Sequence, residues 1–321
     1  MPADLSIEDL SAAIKEKALE LGFAGCGFSR AEALPGDKRR QKAWLDQGYH
    51  AGKAYMANHI EKRTDPTLLV EGARSVISLL FNYHTDRNQE DPEAPILSKY
   101  AYGTDYHFVL KDKLHKLFAF IQSLDPEARG RVFVDSAPVL DRAWACRAGL
   151  GWIGKNSMLI SRTAGSFVVI GEIILNLELA YNDLPESDFC GSCNRCIEAC
   201  PTGAILDTRT IDSERCISYQ TIENRGEISS EIEPALSGRV FGCDICQDVC
   251  PWNRKATLHG EPAFEARPGL LIMSMDDWKG LDPETFEKLF HRSAVQRAGY
   301  EKIKRNIASL QKNMDSGREK L

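Results

Sequence analysis

Apolar residues recur at helical spacing through Leu5–Leu21, at Leu10, Ile14, Ala18 and Leu21, behind the cap candidate Ser6. The same period returns in Tyr106–Leu124 through Leu110, Leu114, Leu117 and Ile121, and in Asp282–Gln311 through Tyr300, Ile303, Ile307 and Leu310. Between these stretches the period shortens. Phe23–Phe28 reads as a short glycine-bearing strand, and Ser75–Phe81 as a β-branched strand buried on both faces. Arg131–Val134 is a short strand ending at Asp135, Val139–Ala148 a helix, and Phe167–Leu177 a strand rich in valine and isoleucine. The acidic, proline-bearing stretch Asp86–Pro95 predicts a surface loop. The pattern breaks at Asn182–Ser187, and His259–Gly269 reads as a second linker. The segmentation predicts three units: residues 1–181, 182–258 and 259–321. It predicts an α+β fold with no solenoid-type repeat.

Between the two breaks lies the chemistry. Cys190-Gly-Ser-Cys193-Asn-Arg-Cys196-Ile-Glu-Ala-Cys200-Pro201 spells C-x2-C-x2-C-x3-C-P, in which three thiolates wrap one iron–sulfur cube and the fourth reaches across to another. Downstream stand Cys216, Cys243, Cys246 and Cys250-Pro251. A full duplicate of the first run would place a cysteine at position 240, where Val240 stands, so Cys216 is the replacement. The assignment that uses all eight gives Cys190, Cys193, Cys196 and Cys250 to one [4Fe–4S] cluster. Cys200, Cys216, Cys243 and Cys246 then hold the other. Zinc sites pair two C-x2-C knuckles across a longer gap, which fits three consecutive x2 spacings poorly. Short ligand loops are all that such a segment needs, since clusters supply its core. Cys26 and Cys146 read as small hydrophobes.

Composition narrows the setting. The net charge of −6 over 321 residues gives no global positive field to draw nucleic acid or membrane. Met1–Leu21 lacks the apolar core of a signal peptide, Arg39-Arg40 is not followed by one, and no apolar run approaches membrane-spanning length. A cytoplasmic, reduced protein is expected.

Three further motifs bear on function. Gly149-Leu-Gly151-Trp-Ile-Gly154 matches G-x-G-x-x-G, but a helical stretch precedes it, so a dinucleotide site is rejected. Its glycines are expected to permit close backbone approach to a neighbour or a large flat ligand. Asp105-Tyr-His107-Phe-Val-Leu110 begins like the D-x-H-x-x-G box that offers histidine to cobalt, with Leu110 in the glycine position. A structural role for His107, or one beside the reacting groups, is expected instead. Asp135 reads from spacing alone as a helix cap. Its alternative role is a carboxylic acid at a strand end, with burial raising its pKa for proton donation. The basic run Arg292, Arg297, Lys302, Lys304, Arg305 and Lys312 reads as a solvated helix face or a phosphate contact.

Taken together, Ser98-Lys-Tyr100-Ala-Tyr-Gly-Thr-Asp-Tyr-His107, Val134-Asp135-Ser-Ala-Pro138, Ala148-Gly-Leu-Gly-Trp-Ile-Gly-Lys-Asn156, both cysteine runs and Cys216-Ile-Ser-Tyr-Gln-Thr-Ile-Glu223 resemble the epoxyqueuosine reductases. The resemblance implies a nitroreductase-like domain holding base-off cobalamin, then a ferredoxin-type domain with two [4Fe–4S] clusters and a short helical tail. It implies a substrate, tRNA carrying epoxyqueuosine at the wobble position. It also implies an external flavodoxin- or ferredoxin-like electron donor and a monomer without membrane attachment. The family's proton donor falls on Asp135. Arg63, Tyr100, Asn156 and Ser218, with Asp135, are the expected corrin contacts. Many members carry a C-terminal helical-repeat extension that helps to hold tRNA, and this chain stops at Leu321. Two rival readings are a reductive dehalogenase-like cobalamin enzyme and a simple electron-transfer ferredoxin module.

Overall fold

The computed structural model describes residues 5–182, 187–206 and 209–318. Its first part runs α1 (Ile7–Glu20), β1 (Gly25–Arg30), α2 (Pro35–Asp46), α3 (Ile60–Thr64), β2 (Ser75–Asn82), β3 (Ile96–Leu97), α4 (Tyr106–Leu124), β4 (Gly130–Phe133), α5 (Asp141–Arg147), β5 (Trp152–Ile153), β6 (Leu159–Ile160) and β7 (Val168–Leu175). Then come α6 (Arg195–Ala199), α7 (Ile217–Ile222), β8 (Arg239–Phe241), α8 (Ile245–Asp248), α9 (Met275–Lys279), α10 (Pro283–Leu289) and α11 (Tyr300–Arg318). Most of the expected break at Asn182–Ser187, residues 183–186, lies outside the described residues.

β1, β2, β7 and β4 form one antiparallel sheet in that order. β2 is buried along both faces because helices cover the sheet on both sides. On one side Leu10, Ile14 and Ala18 of α1 and Leu110, Leu114, Leu117 and Ile121 of α4 pack over Ile77, Leu79 and Ile173. On the other, Trp144 of α5 packs with Val76 and Ile174, and Ala145 with Leu80. Each such side chain withdrawn from water contributes about 1.5–3 kcal/mol. α1 starts where expected, with Ser6 accepting from the Asp9 amide.

The cysteine segment has more apolar support than ligand loops alone require. β8 pairs in parallel with β3, and a second core joins Leu97 and Tyr102 to Ile217, Leu236, Val240 and Phe241. It continues into Trp278, Phe286, Ile303 and Ile307 of the tail. The stretch read as a second linker is anchored too: Phe264 is buried against Phe81, ring centroids 5.5 Å apart. The Asp86–Pro95 loop is tied to the tail, its Glu90 amide donating to the Leu271 carbonyl at 2.8 Å. The helix expected across Asp282–Gln311 is interrupted after Phe290, where Ser293 caps a short 3-10 turn, Ala294–Arg297, and Gly299 takes φ +85°. No described helix is long and apolar enough to cross a membrane.

Candidate functional site

Asp105 caps α4, its carboxylate accepting from the His107 amide at 3.0 Å. That cap aims the first turn of the helix, and with it Tyr106 and His107, at the loop after β4. There Asp135 takes a left-handed backbone, φ +51°, a conformation costing roughly 1–2 kcal/mol for a non-glycine residue. Its carboxylate is 60% exposed. Tyr106 Oη donates to Asp135 Oδ2 at 2.7 Å, and His107 Nε2 lies 3.5 Å from the same oxygen. On the far side of the ring, His107 Nδ1 pairs with Asp105 Oδ1 at 2.7 Å. Arg297, from the tail, sets a guanidinium nitrogen 3.1 Å from His107 Nδ1 and 3.8 Å from Asp105 Oδ2.

This arrangement corrects two expectations for Asp135. It caps no helix, because α5 begins only at Asp141 with Leu140 in the cap position. Nor does burial raise its pKa: hydrogen bonding with His107, aided by Tyr106, outweighs desolvation and holds the carboxyl below its ordinary value. The pairing favours a proton on the imidazole over one on the carboxyl. Burial works to lower the His107 pKa, but its bonds to Asp105 and Asp135 outweigh that and raise it. Burial, with Asp135 beside it, pushes the Tyr106 phenol well above its usual range, so it remains a donor.

Beneath the loop, on the sheet face covered by α5, Glu172 of β7 is fully buried with both carboxylate oxygens lacking a hydrogen-bond partner. Its neighbour Asp141 likewise has an unpartnered Oδ1. Burial raises the pKa of both; Asp141 and the Asp135 charge raise Glu172 further, whereas Glu172 favours ionisation of Asp141 against the opposing Asp135 charge. Of the two, Glu172 is the one that burial and both neighbouring aspartates disfavour as a carboxylate.

Of the other expected contacts, Tyr100 stands closest to this group, its ring 6.0 Å from Tyr106 and 6.1 Å from Phe241. Arg63 donates to the carbonyls of Asn58 and Tyr55, each at 3.1 Å, and the Tyr55 phenol feels the Asp135 charge. Asn156 is buried in the turn between β5 and β6, its Oδ1 accepting from Met158 at 3.2 Å and its Nδ2 unpartnered. Ser218 lies on α7, two residues past Cys216. The glycine motif is preceded by α5 and contains β5, the first strand of the β5–β6 hairpin. A Cβ on Gly151 would stand 2.2 Å from the Ile160 carbonyl oxygen, so this glycine serves backbone approach to a neighbour.

The eight cysteines of the motif have free thiols. Burial raises the Cys250 thiol, and Cys190 and Cys193 add to it; Cys196 is raised by burial and then by Cys190 and Cys250. Elsewhere Cys216 is raised by burial with Cys200 adding, and Cys243, pushed up to about 12 chiefly by burial, has Cys216 beside it. Cys246 adjoins Cys243 and Cys216, with Cys196 the nearest thiol across the gap. Two neighbourhoods of soft sulfur donors result. Burial, with neighbouring thiols adding, raises the cost of ionising Cys196, Cys216, Cys243, Cys246 and Cys250, which a bound cationic cluster would offset. Among the described residues, no three His, Cys, Asp or Glu side chains close on a single metal-ion point.

The basic run of the tail turns inward. Lys302 Nζ donates to the Ile222 carbonyl at 2.5 Å, and Arg305 Nη2 to the Gln220 carbonyl at 2.7 Å. Lys304 reaches the Lys279 carbonyl at 2.7 Å, and Lys312 lies 3.5 Å from Glu233. Sequence reasoning missed Tyr106, Asp141, Glu172 and Arg297 as parts of the site. Only the Asp105-x-His107 spacing at a helix start carried a signal for it.

Comparison with known proteins places this geometry. Residues 63–136 match a family model described as epoxyqueuosine reductase QueG, DUF1730, and residues 189–253 match one described as a 4Fe-4S double cluster binding domain. The chain is 49% identical over 297 residues to the epoxyqueuosine reductase of Cellulophaga algicola, covering 92% of this chain and 96% of that one. It is 39% identical over 313 residues to that of Escherichia coli strain K12, covering 96% and 82%. Among solved structures, an epoxyqueuosine reductase with an epoxyqueuosine-modified tRNA stem loop superposes with a TM-score of 0.89 at 30% identity, covering 96% of this chain and 82% of the other. The Bacillus subtilis enzyme, solved with an aspartate-bearing catalytic loop swung out of the active site, gives 0.88 at 30% identity over the same shares.

Proposed function

The chain belongs to the epoxyqueuosine reductase family, and from that premise we propose that it reduces epoxyqueuosine in tRNA to queuosine. The reaction adds two electrons and two protons to the epoxide and releases its oxygen as water. The observation that carries this reading to particular residues is the Asp135 carboxylate, projected from a left-handed loop and bonded by Tyr106 and His107.

The residues fit the cofactors that the reaction requires. Eight free thiols in two neighbourhoods are a donor set for two [4Fe–4S] clusters, divided as Cys190, Cys193, Cys196, Cys250 and Cys200, Cys216, Cys243, Cys246. The buried, unpartnered Asn156 amide suits a polar corrin substituent. In this reading Arg63, Tyr100, Asp135, Asn156 and Ser218 line a base-off cobalamin held by residues 1–181. Residues 182–258 form the cluster domain and 259–321 the helical tail. A bound corrin would supply the electron pair for the epoxide, and clusters held by the eight cysteines would supply a path for single electrons from a flavodoxin- or ferredoxin-like donor.

The protein's own part is proton supply. At rest Asp135 is a carboxylate and His107 an imidazolium. His107 Nε2 passes its proton to Asp135 Oδ2, which delivers it to the departing oxygen; solvent reprotonates His107, and a second pass supplies the proton that completes water. Tyr106 keeps the carboxylate aimed, and Asp105, itself 3.8 Å from the Arg297 guanidinium, keeps the ring aimed. The segment Ser98–Tyr100 joins the two halves. Ser98 donates its amide to the Phe241 carbonyl at 2.8 Å, and Lys99 its amide to Asp244 Oδ2 at 2.8 Å, beside Cys243. We place the enzyme in the cytoplasm, as a monomer. Anaerobic reconstitution with iron, sulfide and cobalamin, then assay on epoxyqueuosine-containing tRNA, tests the reading. Asp135→Ala is expected to keep both kinds of cofactor and lose about 10²–10⁴-fold in turnover. Full activity in that variant would remove Asp135 from the reaction.

A further inference from the structure

We propose that the exposed face around Phe189 docks an acidic one-electron carrier protein, which delivers electrons to the sulfur group of Cys190, Cys193, Cys196 and Cys250. The inference rests on the assignment of iron–sulfur clusters to the cysteines, and it adds where electrons enter.

The two cysteine groups sit in different surroundings. Around the first, Gly191, Ser192, Asn194, Arg195 and Pro251 are exposed. Around the second, Ile217, Tyr219, Gly242, Asp244 and Gln247 are buried, on the side facing Tyr100 and Asp135. The first group thus has the more open surroundings, with exposed residues on both sides of Cys190, Cys193 and Cys196, while the second abuts the core that carries Tyr100. Electrons therefore enter at the first and leave by the second, toward the site.

Phe189 stands at the centre of the entry face, 42% exposed although it is a large apolar ring. It packs edge-on against Trp152 at 5.2 Å and leans on Trp252 at 5.9 Å. Trp152 Nε1 in turn donates to Cys190 Sγ at 3.5 Å. An apolar patch thus runs from solvent to a ligand sulfur, the kind of centre from which protein interfaces exclude water.

Its rim is basic. The Arg162 guanidinium lies 5.0 Å over the Phe189 ring, and Lys155 Nζ bonds Asn194 Oδ1 at 2.8 Å. Arg195 on α6 and Arg254 and Lys255, in the turn after Cys250, are exposed. Of the acids between residues 187 and 200, Asp188 is engaged by Arg209, leaving Glu198. Among the described residues, in a chain of net charge −6, this face is a local reversal of sign. It selects a partner of opposite charge and speeds its encounter. Each docking moves one electron, oxidising the carrier and reducing the protein, and two dockings supply one turnover.

The test follows cluster bleaching in reconstituted holoenzyme by stopped flow, with a chemically reduced flavodoxin of net negative charge as donor and dithionite as control. The triple variant Arg162→Glu, Arg254→Glu, Lys255→Glu, with iron content verified, is expected to slow reduction by flavodoxin at least ~10-fold at low salt, with the gap closing as salt rises. Dithionite, which needs no docking, is expected to bleach variant and parent alike. An unchanged flavodoxin rate at low salt would overturn the proposal, as would a variant that loses only affinity for tRNA. Failure of dithionite to bleach the parent protein would instead overturn the cluster assignment itself.

Discussion

His107 Nε2 and Asp135 Oδ2 lie 3.5 Å apart, and each shifts the other's proton affinity in opposite directions. The imidazole stays charged above its ordinary value of 6.5, while the carboxylate stays ionised below its ordinary 3.8. Turnover limited by proton delivery is therefore expected to hold through neutral pH and to fall as pH rises through the elevated His107 pKa. His107→Gln is expected to abolish that alkaline limb and to lower the rate by about 10²-fold. Single-turnover rates across pH check this, and an unchanged profile would exclude His107 as the proton source.

The same pair makes a stability statement with its own sign. The His107 contribution is complete below 6.5 and is lost as pH rises through its folded value; the Asp135 contribution is present above 3.8 and is lost as pH falls. Thermal melts of His107→Gln are expected to fall further below the parent at pH 6 than at pH 9.

Glu172 and Asp141 act in the reverse sense. Both are acids whose burial raises their pKa, so the folded state binds more protons than the unfolded chain, and stability declines as pH climbs above the ordinary carboxylate range. Glu172→Gln keeps the shape and stays neutral, so it is expected to flatten this decline. Glu172→Ala opens a cavity in a fully buried position and is expected to cost about 2–4 kcal/mol by denaturant melt at acidic pH, the gap to the parent narrowing as pH rises. A parent protein whose stability is level between pH 5 and 8 would argue against a proton retained on buried Glu172.

Much of this was legible in the chain because local signals agreed. α4 spans Tyr106–Leu124, as its apolar spacing and the Asp105 cap dictate. What escaped were relationships across the chain. Nothing near Asp135 announces that Tyr106 and His107 will set its charge, so a strand-end carboxyl read as a buried acid becomes an ionised one. The tail's basic run likewise gave no sign that its cations would be spent on the carbonyls of α7. Position 240 was legible only as a missing ligand. In the structure Val240 is fully buried within the second core, and its carbonyl accepts from Asn306 Nδ2 at 2.8 Å.

Asn306 deserves its own test. Fully buried on α11, it donates also to the Thr221 carbonyl at 2.9 Å, so one amide joins the helix that follows Cys216 to the strand that precedes Cys243. Asn306→Ala leaves two buried carbonyls unsatisfied, at about 1–3 kcal/mol each. A lowered melting temperature with selective loss of iron from one cluster is the expected result. An unaltered melt and full iron content would show that the clamp is dispensable.

The last prediction separates the two ways of counting ligands. If Cys216 replaces the cysteine missing at 240, Cys216→Ala lowers iron from about eight atoms per chain to about four. Adding Val240→Cys restores the spacing of a complete second run. It is expected not to restore the iron, because the Val240 side chain is enclosed by the second core with Leu97, Ile217 and Phe241. Iron and sulfide analysis of the single and double variants decides between them. Recovery of the second cluster in the double variant would mean that spacing, and not the placement of α7 against β8, selects the fourth ligand.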